Sequence, residues 1–443
     1  MRKLTVVAFL IFAICLHSAS AQNRVIARDT KGLQDLQNIC SGLLGGLLGG
    51  LNLCTVVEPI GDPQGQVYLI APGLIGDVNA LLQFLLNTLS GSGGDAEIDR
   101  LLVVKNSTAW TAPSSLYDTT PTNYYGTTVW HGYVSQPAVQ IIALRRAQTS
   151  YRISGTGVVA IIDTGVDPNQ PVLERVLLSG YDFTRNRQGG SELADLNQPG
   201  DIDENANPYQ VNQSTMAVVN GGGVTTLLQS KYAAFGHGTM VSGIVHLVAP
   251  TARILPLKAF QANGTGKLSD VLRAVYYATR NNTSVINMSF DVTSYSKEFD
   301  KAIRYAAQRG TVSVASVGND GKAVMVYPAG LSNVVGVAST TNQDTISTFS
   351  NYGHPPVWLG SPGEGIVTTY PFGTYAAGWG TSFSAPFVSG TAALLRSISP
   401  NLNQNSASQA MTHAEYVSPQ LGYGRLDVYK TATAWRQASG NQP

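Results

Sequence analysis

Strand-like and helix-like patterns alternate along the chain from residue 132 onward. Runs rich in Val, Ile and Leu predict strands, and runs whose apolar residues recur every three or four positions predict helices. The predicted strands are residues 254–260, 285–290, 311–317, 334–339 and 366–369, and the predicted helices are residues 268–280 and 295–309. Strands alternating with helices predict a parallel sheet covered on both faces. We therefore expect an α/β fold of three layers with a mostly parallel central sheet.

The part of the chain before this region has its own pattern. Residues 67–70 and 98–104 predict strands, and residues 77–89 predict an amphipathic helix. Residues 105–125 are rich in Ser, Thr, Pro and Tyr, which is typical of an exposed linker. We expect a small α+β unit ahead of the larger domain. Within that domain, the polar residues 185–225 interrupt the alternation, and long loops of this kind are usually functional or mobile.

The first 21 residues have the pattern of a secretory signal peptide. Two basic residues follow Met1, residues 4–16 form a short apolar run, and Ala19 and Ala21 are spaced as a small-x-small cleavage site. This run is too short to span a bilayer, which needs about 20 residues. No later stretch is long and apolar enough for a membrane anchor. The sequence therefore predicts a secreted protein, extracellular or periplasmic, without an anchor.

Composition narrows the choice of function. Hydrophobic residues make up 43% of the chain and charged residues 12%, which supports a sizeable core. The formal net charge of +1 gives no basic surface for nucleic acid, so we expect no such partner. After the signal peptide the chain has two cysteines, Cys40 and Cys54, which an oxidising compartment would pair. The run of Gly and Leu between them fits a loose loop, a membrane-touching segment or a packing surface.

The stretch from Gly380 to Leu395 predicts a buried helix that starts with a serine. It is almost uncharged and apolar or small on every face, and Pro386 is tolerable if it lies in the first turn. Ser382 would then lie where unpaired N–H groups favour negative charge, which suits an acyl-transfer nucleophile. A hydroxyl that merely caps a core helix is an equally good interpretation of this stretch alone.

Two further stretches favour the catalytic interpretation. Residues 157–167 are a β-branched run that ends in Asp163 and a glycine turn, which places the carboxylate at the carboxyl end of a buried strand. His237 stands between two glycines at the start of another small-residue helix. Asp, His and Ser in this chain order match one of the known orders of the serine-hydrolase triad. A lipase-like esterase is disfavoured because Ser382 lacks a Gly-x-Ser-x-Gly setting.

These three motifs and a fourth, Ser316-Val317-Gly318-Asn319-Asp320-Gly321, resemble those of the subtilases, the subtilisin-like serine peptidases. The resemblance runs from about residue 136 to residue 428. It implies a subtilisin-like fold and an Asp163–His237–Ser382 triad that hydrolyses polypeptides through an acyl-enzyme. It also implies that Asn319 donates to the oxyanion together with the backbone N–H of Ser382; for Asn319 alone, a turn residue before glycine would be the ordinary interpretation.

The resemblance also implies a precursor. Subtilases usually carry an N-terminal propeptide that helps folding, blocks the cleft and is then cut away. We expect a signal peptide at residues 1–21, a propeptide at residues 22–115 that contains both cysteines and acts as an intramolecular inhibitor, and a peptidase domain at residues 116–443. Self-cleavage would fall in the linker of residues 105–125.

The family binds an extended peptide between two backbone edges, which is strand addition. The matching positions are Gly264 and Gly266 on one edge, and Ser289, Phe290 and Asp291 on the other. Subtilisins usually have glycine where Asp291 stands, at the rim of the pocket for the residue before the cut. A carboxylate there narrows the pocket or favours basic side chains, unless it turns outward, which is the interpretation we favour slightly.

No cofactor is required by this chemistry. Many subtilases bind structural calcium, and the candidate carboxylates are Asp195, Asp201, Asp203 and Glu204. They lack the glycine and spaced glutamate of a defined calcium loop, so a solvated acidic loop is the better interpretation and no metal ligand is assigned. The alternative function from another class is a catalytically inactive secreted homologue that binds peptides without cutting them.

Overall fold

The computed structural model describes residues 24–42, 52–104, 111–198, 209–211, 215–218 and 232–440. The signal peptide, most of the Gly/Leu run, the first part of the linker and three of the four candidate calcium carboxylates lie outside these residues. The described strands are β1 Val25–Arg28, β2 Cys54–Pro59, β3 Val67–Pro72, β4 Asp95–Ile98, β5 Leu101–Val104, β6 Pro121–Tyr124, β7 Thr127–Trp130, β8 Val158–Asp163, β9 Tyr181–Asp182, β10 Arg187–Gln188, β11 Tyr209–Val211, β12 Thr215–Val218, β13 Arg253–Lys258, β14 Thr265–Lys267, β15 Val285–Met288, β16 Val312–Ser316, β17 Val335–Thr340, β18 Leu359–Pro362, β19 Ile366–Tyr370 and β20 Thr374–Trp379.

The described α-helices are α1 Leu33–Cys40, α2 Val78–Leu89, α3 His131–Ser135, α4 Pro137–Ile141, α5 Leu144–Tyr151, α6 Ala194–Asn197, α7 His237–Val248, α8 Leu268–Arg280, α9 Lys297–Gln308, α10 Thr381–Ile398, α11 Gln404–Met411 and α12 Val428–Ala438. The predicted helix at residues 268–280 is confirmed residue for residue, and the one at residues 295–309 is two residues shorter at its start and one at its end.

The centre of the large domain is a sheet whose described strands lie in the order β10-β9-β13-β8-β15-β16-β17-β18. Every described pairing in it is parallel except that of β10 with β9 at one edge. Alternate residues of β8 face opposite sides: Val159 and Ile161 pack with α7 and α10, and Ala160 and Ile162 pack with α8 and α9. Helices therefore cover both faces, which confirms the three-layer α/β fold.

The N-terminal part forms a separate α+β unit. Its sheet has the strand order β2-β3-β1-β4, all antiparallel, and α1 and α2 pack on one face of it. A disulfide joins Cys40 to Cys54, so the expected pairing is confirmed. The predicted single strand at residues 98–104 is divided into β4 and β5, because Asp99 and Arg100 leave the strand to bond the large domain.

Acidic side chains of the N-terminal unit meet the starts of two helices of the large domain. Both oxygens of Asp99 accept from the N–H and hydroxyl of Ser269 in the first turn of α8, each at 3.0 Å. Glu97 accepts from the Ser296 hydroxyl at 2.8 Å, immediately before α9. A helix start carries unpaired N–H groups and a partial positive charge, so these carboxylates stabilise the contact.

Beyond this contact, β5 extends the N-terminal unit along the large domain. It pairs antiparallel with β14 and parallel with β11, which comes from the polar stretch that interrupts the strand–helix alternation. The strand that ends the N-terminal unit therefore lies on the same edge that the sequence predicts to bind substrate.

Candidate active site

Asp163 is the last residue of β8, at the carboxyl end of a central parallel strand, as the sequence predicts. The run Val159–Ile162 before it is buried on both faces, so the position of the carboxyl group is fixed by the sheet. Its Oδ1 accepts a hydrogen bond from the N–H of Thr164 at 2.7 Å. Only 3% of Asp163 is exposed.

His237 is the first residue of α7, and the glycines beside it allow α7 to begin close to the strand loop. Gly236 has φ +87°, a conformation that L side chains rarely adopt. A Cβ at Gly238 would lie 2.0 Å from the carbonyl oxygen of Gly165, so a side chain there would push α7 away. As a result, the Nδ1–H of His237 donates to Oδ1 of Asp163 at 2.8 Å. Its Nε2 is buried and has no hydrogen-bond partner among the described residues.

Ser382 is the second residue of α10, which begins at Thr381 after Gly380. The expectation that Pro386 lies in the first turn is wrong, because Pro386 is the sixth residue of the helix. Its missing N–H would have bonded the carbonyl of Ser382. That carbonyl instead accepts from the hydroxyl of Ser289 at 2.8 Å, and the Ser382 hydroxyl donates to the Ser289 carbonyl at 3.0 Å.

The structure thus brings Asp163 and His237 into direct contact and places Ser382 nearby, with its hydroxyl bonded to Ser289. The ring centroid of Phe383, the residue after Ser382, lies 5.6 Å from that of His237. The imidazole therefore lies beside the first turn of α10.

Asn319 lies after β16, and its side chain is oriented by the start of the same helix. Its Oδ1 accepts from the N–H of Thr381 at 2.8 Å and from the Thr381 hydroxyl at 2.9 Å. The residue is therefore fixed next to the turn that presents Ser382.

The predicted substrate edges flank this site. Gly266 pairs with Leu102 of β5, and Gly264 lies two residues before it. Ser289 and Phe290 follow β15 and are buried. Asp291 is 1% exposed, so the interpretation in which its carboxylate turns out to solvent is wrong for this structure.

Several buried charges lie behind the loops that carry Asp163 and His237, and their burial was not foreseen from the sequence. Lys258, at the end of β13, is 0% exposed and donates to the carbonyl of Thr164 at 2.7 Å and to Asp195 at 2.8 Å. Asp195 also pairs with Arg185 at 2.7 Å. It is thus neutralised by two cations and is not part of a solvated acidic loop; the other three candidate calcium carboxylates lie outside the described residues.

Glu192, four residues after β10, was missed as well. It is 0% exposed and lies against the start of α7. The signal available in the sequence was a carboxylate between apolar and small residues within an otherwise polar stretch, which was too weak to single it out.

No group of three or more His, Cys, Asp or Glu side chains in the described part of the chain is arranged to hold a metal ion. None of its helices is both long and apolar enough to cross a membrane.

Comparison with known sequences places this site in a family. The model of the subtilase family matches residues 155–430. Thermitase from Thermoactinomyces vulgaris is 32% identical over 285 residues, which cover 61% of this chain and 87% of thermitase. A thermophilic serine proteinase from Bacillus sp. (strain AK1) is 31% identical over 279 residues, covering 62% of this chain. The chain matches 61% of the length of that Bacillus protein.

Solved structures show the same fold. Fervidolysin from Fervidobacterium pennivorans, a keratinolytic enzyme related to subtilisin, aligns with 93% of this chain and 61% of its own, with a TM-score of 0.66 and 21% identity. A lanthipeptide protease aligns with 67% of this chain and 94% of its own, with a TM-score of 0.52 and 22% identity.

Proposed function

The chain belongs to the subtilase family, and from this premise we propose that it is a secreted serine endopeptidase, made as a precursor that cuts itself. Ser382 is the nucleophile, His237 the general base and Asp163 the carboxylate that orients the imidazole. The observation that carries the proposal is the 2.8 Å hydrogen bond between Nδ1 of His237 and Oδ1 of Asp163. Because Nδ1 is engaged by Asp163, Nε2 is the ring nitrogen that can accept the proton of the serine hydroxyl. A serine hydroxyl near neutral pH needs such a base.

The first step is a change of partner for the Ser382 hydroxyl. In the resting state it donates to the Ser289 carbonyl, and rotation about its Cα–Cβ bond redirects it to Nε2 of His237. The imidazole takes the hydroxyl proton as the oxygen attacks the peptide carbonyl, and Asp163 stabilises the imidazolium. The same proton then passes to the leaving amine, and water hydrolyses the acyl-enzyme by the reverse sequence.

Negative charge on the attacked carbonyl oxygen is met by two donors. One is the side-chain NH₂ of Asn319, whose orientation is supported by the bonds from Thr381 to its oxygen. The other is the backbone N–H of Ser382 in the first turn of α10, where helix geometry leaves N–H groups unpaired. Removal of one such donor typically lowers turnover about 10²–10³-fold.

We propose that peptide substrates bind as an added strand between Gly264–Gly266 and Ser289–Asp291. The pairing of β5 with β14 supports this, because the chain's own strand already uses that edge. The N-terminal unit is then an intramolecular inhibitor, since β5 occupies the Gly264–Gly266 edge, although its other described neighbour is β11 and not Ser289–Asp291. Its fit to the starts of α8 and α9 holds it there.

Two described residues limit where the proposed self-cleavage can fall. Val104 ends β5 on the substrate edge. Leu116 is fully buried in the core of the large domain, so release of a fragment cut after it would remove a core residue from that domain. We therefore propose that self-cleavage falls between these two residues, and that residues 1–21 direct export.

One experiment tests the proposal. Residues 22–443 are produced unmodified and as Ser382→Ala, and both are followed by mass spectrometry and by hydrolysis of casein. The unmodified protein is expected to lose an N-terminal fragment that ends between residues 104 and 115 and to degrade casein, whereas Ser382→Ala does neither. Equal masses and no casein loss in both would favour the alternative, an inactive homologue that binds peptides.

A further inference from the structure

Glu192 is a buried carboxylate to which the peptidase mechanism above gives no role. It lies between β10 and α6 and is 0% exposed. One oxygen, Oε2, accepts from the N–H of Gly236, the residue before His237, at 2.8 Å. The other, Oε1, accepts from the hydroxyl of Thr239, two residues after His237. The carboxyl group thus bonds the chain on both sides of the histidine.

Two threonines connect the same carboxylate to the loop that carries Asp163. The Thr164 hydroxyl, next to Asp163, accepts from the N–H of Gly238 at 3.0 Å, and the Thr239 hydroxyl accepts from the N–H of Asp167 at 2.8 Å. Each loop therefore offers a hydroxyl oxygen to an N–H of the other. Both hydroxyl groups in turn donate to the carboxylate of Glu192. The Thr239 hydroxyl donates to Oε1, and the Thr164 hydroxyl donates to Oε2 at 3.5 Å.

Every described hydrogen bond of the Glu192 side chain is donated to it, which suits an ionised carboxylate, whereas burial raises its pKa to about 8. The charged and titratable groups around it are Asp167 on the strand loop, Lys258 at the end of β13 and Tyr370 at the end of β19, besides the Asp163–His237 pair. The carboxylate of Asp167 disfavours the negative charge on Glu192, and the ammonium group of Lys258 favours it. Both protonation states are thus accessible near neutral pH, and an amide is a fair mimic of the neutral one.

We propose that Glu192 is a positioning residue for the triad: its carboxyl group fastens the Asp163 loop to the first turn of α7 and so sets the geometry of the Asp163–His237 bond. The inference rests on the proposed peptidase function. A misplacement of a catalytic group by about 1 Å can cost 10²-fold in rate. Removal of the side chain is therefore expected to act on the chemical step more than on substrate binding.

The test uses residues 22–443 with Glu192→Ala and Glu192→Gln, and Gln404→Ala as a matched control. Gln404 is also buried and accepts a backbone N–H, that of Ser313 at 2.7 Å, but near the amino end of β16, whereas Asp163 lies at the carboxyl end of its strand. The processed Glu192→Ala enzyme should show kcat lowered about 100-fold with KM changed less than about 3-fold. Glu192→Gln should keep kcat within about 10-fold, because its carbonyl still accepts from Gly236. Gln404→Ala should keep kcat even where its Tm falls.

A second readout needs no turnover. In a Ser382→Ala background, the low-field proton resonance of the His237 Nδ1–H, identified by its loss in His237→Ala, should shift or broaden in Glu192→Ala and persist in Glu192→Gln and Gln404→Ala. An unchanged resonance in Glu192→Ala would overturn the positioning role, even if the protein were no peptidase. Casein hydrolysis by the unmodified protein decides the peptidase proposal separately.

If Glu192→Ala gives no folded protein, Thr239→Val removes only one contact of the carboxylate. It should lower kcat about 10-fold at constant KM and perturb the same resonance. The inference would be refuted if the variant that folds, Glu192→Ala or Thr239→Val, had the same kcat as the unmodified enzyme. Its Tm would then be expected to fall no more than that of Gln404→Ala.

Discussion

The core between α7 and α10 and the contact of the N-terminal unit with the large domain hold the molecule together in different ways. Between α7 and α10, residues such as Val245, Phe387 and Leu394 are all 0% exposed and pack without a charge among them. At the N-terminal contact, a few apolar residues such as Ile26 and Leu69 are bordered by charged groups.

The charged groups of that contact include a bidentate pair. Arg28 donates to both oxygens of Glu298 at 2.9 and 2.7 Å. Burial alone would raise the pKa of Glu298, but hydrogen bonds from Arg28 and Lys301 outweigh it and lower the pKa. An apolar core is lost only when the fold is lost, whereas polar bonds can be exchanged for water or for another chain. The difference suits the proposed release of the N-terminal unit from the large domain after self-cleavage.

The largest change is expected from breaking the apolar region. Phe387→Ala in the Ser382→Ala background should lower the free energy of unfolding of the large domain by about 3–5 kcal/mol, because it removes a fully buried aromatic ring. Urea denaturation followed by fluorescence measures this. Tyr416→Ala, at a residue 72% exposed, is the control and should stay within about 0.5 kcal/mol. Equal losses in the two variants would mean that the core is not what holds the domain.

Opening the disulfide should affect the N-terminal unit alone. The bridge closes a loop of 14 residues, and its loss in a Cys40→Ser, Cys54→Ser double variant should cost about 3 kcal/mol. Hydrogen exchange is expected to accelerate in β1 and β3 and to stay unchanged in α10. Reduction of the unmodified protein should reproduce the effect. Faster exchange in α10 would show that the two regions are one cooperative unit.

The polar contact should be weakened by loss of a single buried charge. Arg28→Ala leaves Glu298 without its bidentate partner, which should cost about 2 kcal/mol, or roughly a 30-fold faster release of the N-terminal fragment after self-cleavage. Gel filtration of the processed protein measures how much fragment is retained. Lys297→Ala, which breaks an exposed ion pair with Asp95 across the same contact, should leave retention unchanged. Similar losses in both would remove the distinction between buried and exposed pairs.

The smallest expected effect is a change of stability with pH, and it concerns the buried carboxylate of Glu192. The pKa of Glu192 is raised by burial from 4.5 to about 8, so the folded protein holds a proton that the unfolded chain releases. Stability from this proton is fully present below pH 4.5 and is lost as pH rises through about 8. A glutamine at this position does not titrate. In the Ser382→Ala background, the free energy of unfolding of Glu192→Gln relative to that of the parent should therefore rise between pH 5 and 9. If the free energies of unfolding of the two proteins changed with pH in the same way, the raised pKa of Glu192 would be contradicted.

The sequence predicts the parts of this molecule that depend on local pattern. The helix at residues 268–280 and the positions of Asp163 and His237 at element ends follow from apolar periodicity and glycine turns. The start of α10 was misjudged because Pro386 suggested a first turn, whereas Ser289, which directly follows β15, supplies the missing bond. The break between β4 and β5 could not be foreseen, since Asp99 leaves the strand to bond a helix 170 residues away.

The same reason explains the missed buried charges. Asp195 was interpreted as one of several solvated carboxylates because its cations, Lys258 and Arg185, are identified only by the folded chain. Glu192 bonds residues on both triad loops, between 28 and 47 positions away. Polar contacts between residues far apart in the chain produce no periodic pattern in the sequence, whereas the apolar faces of helices and strands do.

The proline in α10 has a consequence for how Ser382, the proposed nucleophile, is held. An ordinary residue at that position would bring an amide hydrogen to the carbonyl of Ser382 and compete with Ser289 for it. Without that competitor, the carbonyl of Ser382 is bonded by the residue that directly follows β15 of the central sheet and not by its own helix. We therefore expect bending motions along α10 to be weakly coupled to the hydroxyl oxygen of Ser382.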